Sequence, residues 1–436
     1  MNCHIALILF LLFVLLAPQV RAQDGIPAEA VVKWNQVVLQ IAEQEDGFLT
    51  LKGLRTAAMM HVAMHDALNS VNPAYASYSN TMYSSNASVA GADEFVALNQ
   101  AAFKIASSQY PDMNDKFKEL RDVYISGKKQ AKGFGEGIQL GESVAERIMQ
   151  TRDEDGWNKE ADYQWHPMAP GVYAEFNEHS GTPEGFIFGA GWGEAKPFAL
   201  DTNDKFVSPP PPEINSPAYT RAFEEVKKLG AFKSEARSED QTHLALWWKD
   251  FVENSHNRLA RHLVSEEKLE LVEAARLFAL LNMSVYDAYI SSFYNKFLYN
   301  HWRPYTAIRW AANDENPDTK EDASWTNTHQ HTYAFPSYPS AHGTACSAAN
   351  TVLASVFGDA YSYSMKTTEV DKAGPFSGKM KMDPPVRSFL NFHEAALECA
   401  FSRVYLGIHF SYDSLEGVDL GRNVGRHVVE NYLIER

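Results

Sequence analysis

The chain is 436 residues long, 45% hydrophobic and 22% charged, with 9 Trp, 20 Tyr and 25 Phe. That composition supports one large core or two and excludes an intrinsically disordered chain. The formal net charge of −16 excludes general nucleic-acid binding and docking on anionic membranes.

Residues 5–17 (IALILFLLFVLLA) form an apolar run of signal-peptide length, too short to span a bilayer comfortably. Val20-Arg21-Ala22 offers small residues where a signal peptidase reads, which predicts cleavage after Ala22, with an uncleaved anchor as the alternative. No later stretch is apolar enough to span, so a periplasmic or secreted mature chain without a membrane span is expected.

Beyond the leader, helical spacing dominates. Val31, Trp34, Val38 and Ile41 mark a first helix, and residues 54–71 (LRTAAMMHVAMHDALNSV) a second, nearly all apolar. Residues 75–89 read as loop and 93–108 as helix. Residues 115–152 read as two helices interrupted near Gly133, Gly135 and Gly137. From 156 to 212 the periodicity fails amid scattered Pro, Gly and Trp, ending in Pro209 to Pro212. A segment so long and irregular suggests a lid or wall. Helical patterning returns over 218–229, 239–263, 266–300, 341–356, 385–406 and 415–434, with no sustained alternation at period two. The expected class is all-α, built from helical bundles. The expected layout is a leader over 1–22 and a single helical unit over 23–436. Within that unit, 23–212 serves as scaffold and 213–436 carries the site.

Two histidine groups stand apart from the main signal. His61 and His65 lie four apart, a spacing that can bind zinc, but their helix is apolar on most sides, so core histidines are expected. His329 and His331 lie in a polar stretch (SWTNTHQH); they either line the mouth of the site or are solvated loop residues, and the loop reading is favoured. Cys346 and Cys399 are either a disulfide or two buried thiols, and the thiols are favoured.

The chemistry concentrates in three late stretches: 296–304 (KFLYNHWRP), 336–343 (PSYPSAHG) and 402–413 (SRVYLGIHFSYD). Lys296 and Arg303, seven apart, would leave one helix face about 10 Å apart along the axis. Pro304 disfavours helical geometry at Arg303 and frees its guanidinium to turn inward. Ser340 is placed at a helix N-terminus, where N–H groups near Ala341 and Gly343 face outward and bind anions readily, with His342 alongside. Arg403 follows, then His409. Asp413, four residues on, can fix the His409 tautomer. Lysine and arginine repel metal cations, so this set suits an oxyanion of the size of phosphate or vanadate.

Taken in order, the stretches read Lys-x6-Arg-Pro, Pro-Ser-x-His and Ser-Arg-x5-His-x3-Asp. This resembles the signature shared by type 2 phosphatidic acid phosphatases and vanadium-dependent haloperoxidases, with Ala341 where glycine is usual. Trp34-Asn35, His65-Asp66-Ala67, Arg152 with Asp155-Gly156, Pro209 to Pro212 and 274–287 extend the likeness to bacterial haloperoxidase-like proteins of this length. The resemblance implies that His409 ligates vanadium, that Lys296, Arg303, Ser340, Ala341, Gly343 and Arg403 hold the vanadate oxygens, and that His342 is the acid–base. Hydrogen peroxide would then oxidise a halide, bromide or iodide favoured, to hypohalous acid. The alternative is a soluble acid phosphatase or phosphatidate-type phosphatase acting on a phosphate ester. His409 is then the nucleophile, a phosphohistidine forms, and phosphate occupies the same site. A homodimer is a further expectation of the resemblance.

Overall fold

The structure, a computed structural model, describes residues 28–47, 50–79, 91–160, 163–174, 177–367 and 381–436. The leader over 1–22 lies outside them. Fourteen helices are described: α1 (Glu29–Asp46), α2 (Leu51–Val71), α3 (Glu94–Gln109), α4 (Asn114–Ile125), α5 (Phe134–Thr151), the single turn α6 (Asn177–Ser180), α7 (Pro217–Leu229), α8 (Glu239–Trp247), α9 (Val252–Glu266), α10 (Leu271–Tyr299), α11 (Pro304–Arg309), α12 (Ala341–Phe357), α13 (Phe392–Tyr405) and α14 (Ser411–Asn431). None of them is long and apolar enough to cross a membrane.

The helix α10 is the axis of the molecule. It is apolar on every side, and such a helix must be buried all round. It packs against α2 on one flank and against α12 and α14 on another, while α2 continues to α3 and α3 to α5. One contiguous core runs through these helices. A smaller one, around Tyr219, Trp302, Ile308 and Phe410, joins α7 and α11 to the chain near the start of α14.

His61 and His65 are core histidines, as expected. His61 stacks on Phe278 at 5.0 Å and its Nε2 meets Asn35 at 3.0 Å, while His65 Nδ1 meets Asp66 at 3.1 Å. Burial pushes His61 down to about 3, so it is neutral at pH 7. Among the described residues no group of three or more His, Cys, Asp and Glu could hold a metal ion. Cys346 and Cys399 are free and buried, the favoured reading.

Among the described residues, the irregular segment holds α6 and one 3₁₀ turn, Trp192–Glu194, and it is strapped along α10 by buried polar groups. The Asp287 carboxylate accepts the N–H groups of Phe198, Ala199 and Leu200 at 2.6, 2.7 and 3.0 Å. Two turns further on, Asn295 Oδ1 accepts Ser208 N–H at 2.8 Å, and its amide donates to Phe206 O. Phe188 N–H bonds Ala334 O at 2.8 Å and Tyr338 O–H bonds Pro209 O at 2.6 Å. The segment therefore reaches the 336–343 stretch.

Two helical expectations need correction. Residues 239–263 form two helices, α8 and α9, because Trp247 and Trp248 are both buried and both indoles are engaged. Trp247 Nε1 donates to Pro385 O and Trp248 Nε1 to Glu398, which one continuous helix face could not satisfy at adjacent positions. Residues 385–406 are not one helix. Strand β1 (Tyr363–Lys366) pairs antiparallel with β2 (Val386–Phe389), Tyr363 opposite Phe389, and α13 starts only after Asn391, whose side chain accepts Glu394 N–H. Pro384 and Pro385 favour an extended entry, and the Asn cap restarts the helix.

Candidate oxyanion-binding site

Each motif residue is placed by an element end. The first motif spans the end of α10. Asn300 adopts φ 47° and caps the helix, and Arg303 is extended (φ −87°, ψ 153°) ahead of Pro304. Lys296 and Arg303 therefore do not share one helix. They converge because the chain turns between them, with the Phe335 ring beneath both, 5.3 Å from Lys296 Nζ and 4.7 Å from the Arg303 guanidinium.

Lys296 is fully buried, and its ammonium donates to Pro336 O, Ser337 O and Pro339 O at 3.0, 2.7 and 2.5 Å. All three N–H groups grip the second motif, so its charge joins the site while its hydrogen bonds hold the loop. Arg303 donates from Nε to Phe335 O at 2.9 Å and from Nη1 to Ile408 O at 2.9 Å. The same Nη1 lies 3.1 Å from His409 Nε2. Arginine can only donate, so Nε2 meets it as an acceptor.

Ser340 is the N-cap of α12. Its N–H bonds Asp413 O at 2.9 Å and its Oγ accepts Gly343 N–H at 3.3 Å. The cap thus occupies the Gly343 N–H, while Ala341 and His342 open the helix where intrahelical partners run out. A Cβ on Gly343 would lie 3.3 Å from Ala400 Cβ, so glycine permits the close approach of α13.

Arg403 lies in the last turn of α13. The chain then reverses at Gly407, φ +77°, where a Cβ would lie 2.4 Å from Gly230 O. His409 precedes α14 instead of lying on it. Its Nδ1 is 2.9 Å from Asp413 Oδ2, and Asp413 reaches back to accept Phe410 N–H at 3.1 Å. The i, i+4 pair is made by helix capping, not by one helix face. The three stretches thus come together, linked through Lys296 to the loop, Arg303 to His409, and Ser340 to Asp413.

Electrostatically the cluster is a set of cations short of counter-charge. Burial first, then neighbouring cations, pushes His409 well below its ordinary value, with Arg303, Lys296 and Arg403 contributing in that order. His342 is pushed down by burial, Arg403 and His256. Lys296 is lowered by burial and by Arg303, and Arg303 is lowered to about 10 by burial. Asp413 is raised to about 6 by burial, and the Ser337 hydrogen bond is the foremost influence drawing it back.

Three buried nitrogens of the cluster have no partner: Arg303 Nη2, Arg403 Nη1 and His342 Nε2. Buried donors are almost always satisfied, and an unpaired guanidinium N–H is costly. A phosphate- or vanadate-like group supplies the acceptors that the two guanidinium nitrogens lack, and its protonated oxygen can meet His342 Nε2, so the residues present fit such an anion.

Sequence spacing missed three neighbours. Ser337 donates to Asp413 Oδ2 and lies 3.2 Å from His409 Nδ1. Phe335 floors the cations. His329, expected to be solvated, is 3% exposed, with its ring 5.2 Å from Tyr333. Lys249, His331 and Arg403 all bear on it electrostatically. His331 is half-buried and bonds Ser180 O at 2.7 Å. The 326–333 loop is polar in composition yet covered by the irregular segment, a tertiary contact that no local pattern encodes.

Residues 276–434 match the family model of the VCPO second helical-bundle domain. A vanadium chloroperoxidase of Curvularia inaequalis is 24% identical over 507 aligned residues, covering 92% of this chain and 82% of that protein. The crystal structure of the first bacterial vanadium-dependent iodoperoxidase has a similar fold, with a TM-score of 0.74 at 23% identity over 94% of this chain and 99% of that one. A holo-type bacterial vanadium-dependent chloroperoxidase follows with a TM-score of 0.65 at 16% identity, over 88% and 92% of the two chains. Residues 276–434 thus match the second helical-bundle domain of that family, and the chain as a whole has the fold of the vanadium haloperoxidases.

Proposed function

We propose that the chain is an exported vanadate-dependent haloperoxidase that uses hydrogen peroxide to oxidise a halide, bromide or iodide, to hypohalous acid. The carrying observation is the trio of unpaired buried nitrogens, Arg303 Nη2, Arg403 Nη1 and His342 Nε2, beside an imidazole whose Nε2 is an acceptor. Kinship with an iodoperoxidase and two chloroperoxidases supports the reaction class, and the softer halides follow the iodoperoxidase. Export rests on the leader over 1–22. Residues 213–436 carry the site on the scaffold of the rest, and a dimer is expected.

Vanadate, when bound, would activate peroxide toward the halide as a Lewis acid. Arg303, Arg403 and the N–H groups opening α12 would hold its oxygens, with the charge of Lys296 behind them. Asp413 keeps the proton of His409 on Nδ1 and leaves the Nε2 lone pair for vanadium. His342 is neutral at pH 7, and its free Nε2 can take a proton from incoming peroxide.

The acid phosphatase reading is supported by the same geometry, because Nε2 of His409 is equally poised as a nucleophile and the same cations suit a phosphoryl transition state. Incubation of the mature chain with orthovanadate, peroxide and bromide or iodide tests the choice. Halide oxidation that depends on vanadate is expected. Hydrolysis of a generic phosphate ester, inhibited by vanadate and without halide oxidation, would reverse the assignment.

A further inference from the structure

Beyond the leader the sequence keeps two cysteines, Cys346 and Cys399, and the anion site uses neither. Cys346 lies on α12, four residues after His342. Cys399 lies on α13, four residues before Arg403. Both are free and fully buried, and their thiols are hydrogen-bond neighbours where α12 packs on α13. A pair of thiols thus stands one helical turn behind two residues of the site.

Cys346 has a proton acceptor beside it. His256 Nε2 is 3.4 Å from Cys346 Sγ and 3.1 Å from Asn350 Nδ2. An amide nitrogen can only donate, so Nε2 meets it with a lone pair. The Cys346 S–H donates to the same lone pair, and the imidazole proton stays on Nδ1, 3.1 Å from Ser255 Oγ. Burial keeps His256 neutral, and burial followed by the Cys399 thiol pushes Cys346 up, so the pair rests protonated. The sulfur is also approachable. A cleft of about 730 Å³ between α12, α14 and the start of α13 is lined by Asn350, Phe392 and Ala396. Asn350 Nδ2 is 3.5 Å from Cys346 Sγ, so one side chain separates the cleft from the thiol.

We propose that Cys346 and Cys399 form a dithiol that hydrogen peroxide closes to a disulfide, with His256 as the base, and that closure weakens the oxyanion site. The weakening rests on the oxyanion reading; the oxidation does not. Cys346 Sγ attacks one peroxide oxygen while its proton passes to His256 Nε2. The O–O bond breaks, a sulfenic acid is left on Cys346, and the departing hydroxide takes the proton from His256 as water. Cys399 Sγ then attacks Cys346 Sγ, the S–S bond forms, and the sulfenic oxygen leaves with the Cys399 proton as a second water. Two thiols are oxidised and one peroxide is reduced to two waters. Little thiolate exists at rest, so the step is slow and answers to sustained peroxide. A disulfide holds its sulfurs about 2 Å apart, closer than two thiols in contact. Closing it draws α12 and α13 together and carries Arg403 with it.

The test treats the mature chain, without vanadate, with hydrogen peroxide and counts free thiols after denaturation. Both should disappear together and return on reduction with dithiothreitol. In Cys399→Ser the reaction should stop at a Cys346 sulfenic acid, which dimedone labels. In His256→Gln closure should slow by about tenfold or more; if that variant does not fold, His256→Asn takes its place, and an unchanged rate would overturn the role of the base. Calorimetry with inorganic phosphate should show about tenfold weaker binding by the oxidised chain, the worth of one charge-assisted bond, and no effect of peroxide in Cys346→Ser. Thiols that persist, or a loss that dithiothreitol does not reverse, would overturn the proposal. So would a disulfide-bonded chain that binds phosphate as tightly as the reduced one. Failure of phosphate to bind the reduced wild type would strike the oxyanion reading instead, and the thiol count would still report on the pair.

Discussion

At the scale of single residues, the proposed function divides the site into groups that would hold an anion and groups that would move a proton. Arg403 belongs to the first, since its Nη1 is buried and unpaired. Replacing it with Met should weaken vanadate or phosphate binding about ten- to a hundredfold, the worth of one or two charge-assisted bonds, as measured by calorimetry. His342 belongs to the second. His342→Ala should lower turnover by about 10²–10⁴, the usual contribution of an acid–base group, while phosphate affinity changes far less than in the Arg403 variant. Equal losses of affinity in both would contradict the division. His409→Ala should abolish either activity, and retained turnover would refute its role. Spacing made Lys296, Arg303, Ser340, His342, Arg403, His409 and Asp413 legible, because the seven fall in three short stretches in a fixed order. Ser337 and Phe335 were in plain sight within or beside those stretches. Their roles depend on what faces them across space, which spacing along the chain does not carry.

At the scale of elements, the site is made of ends: the C-terminus of α10, the N-terminus of α12, the last turn of α13 and the reversal before α14. Such junctions need special backbone, and Gly407 is the sharpest case. With φ +77° and Gly230 O 2.4 Å from a would-be Cβ, Gly407→Ala should cost about 1–3 kcal/mol or more in denaturant unfolding and should displace His409. The strap on α10 makes a second case. Removing the Asp287 carboxylate strands three backbone N–H groups, so Asp287→Ala should destabilise by about 3 kcal/mol or more. Hydrogen exchange should rise first across 198–208, where the segment is tied down. Helix ends were partly readable, as at Ser340 and Arg303-Pro304, where a cap and a proline speak locally. The break between α8 and α9 and the β1–β2 pairing were not. They answer to the two tryptophans packing on a distant strand, and tertiary packing overrides helical propensity there.

At the scale of the whole molecule, the core carries histidines that must stay neutral. His61, His256 and His301 are each pushed down to about 3, chiefly by burial. Between pH 6.5 and about 3 the unfolded chain takes up protons that the folded chain refuses, so these groups remove stability as pH falls through that window. Asp287 and Asp413, raised to about 6, act oppositely between 3.8 and 6, where the folded state binds the extra protons. The histidines outnumber them, and His329, His342 and His409 are lowered as well. The melting temperature should therefore fall steadily from pH 7 toward pH 4, and a flat profile would contradict the burial of these imidazoles. By itself the amino-acid order determined the helical class, the nearly all-apolar helix at 54–71 and the identity of the cations and imidazoles of the site. These are written in periodicity and spacing, which are local. The tertiary structure alone decided that Lys296 spends its hydrogen bonds on the second motif, that His329 is covered, and that Ser337 meets Asp413. Those outcomes depend on which distant segments pack together, and a one-dimensional pattern does not carry that information.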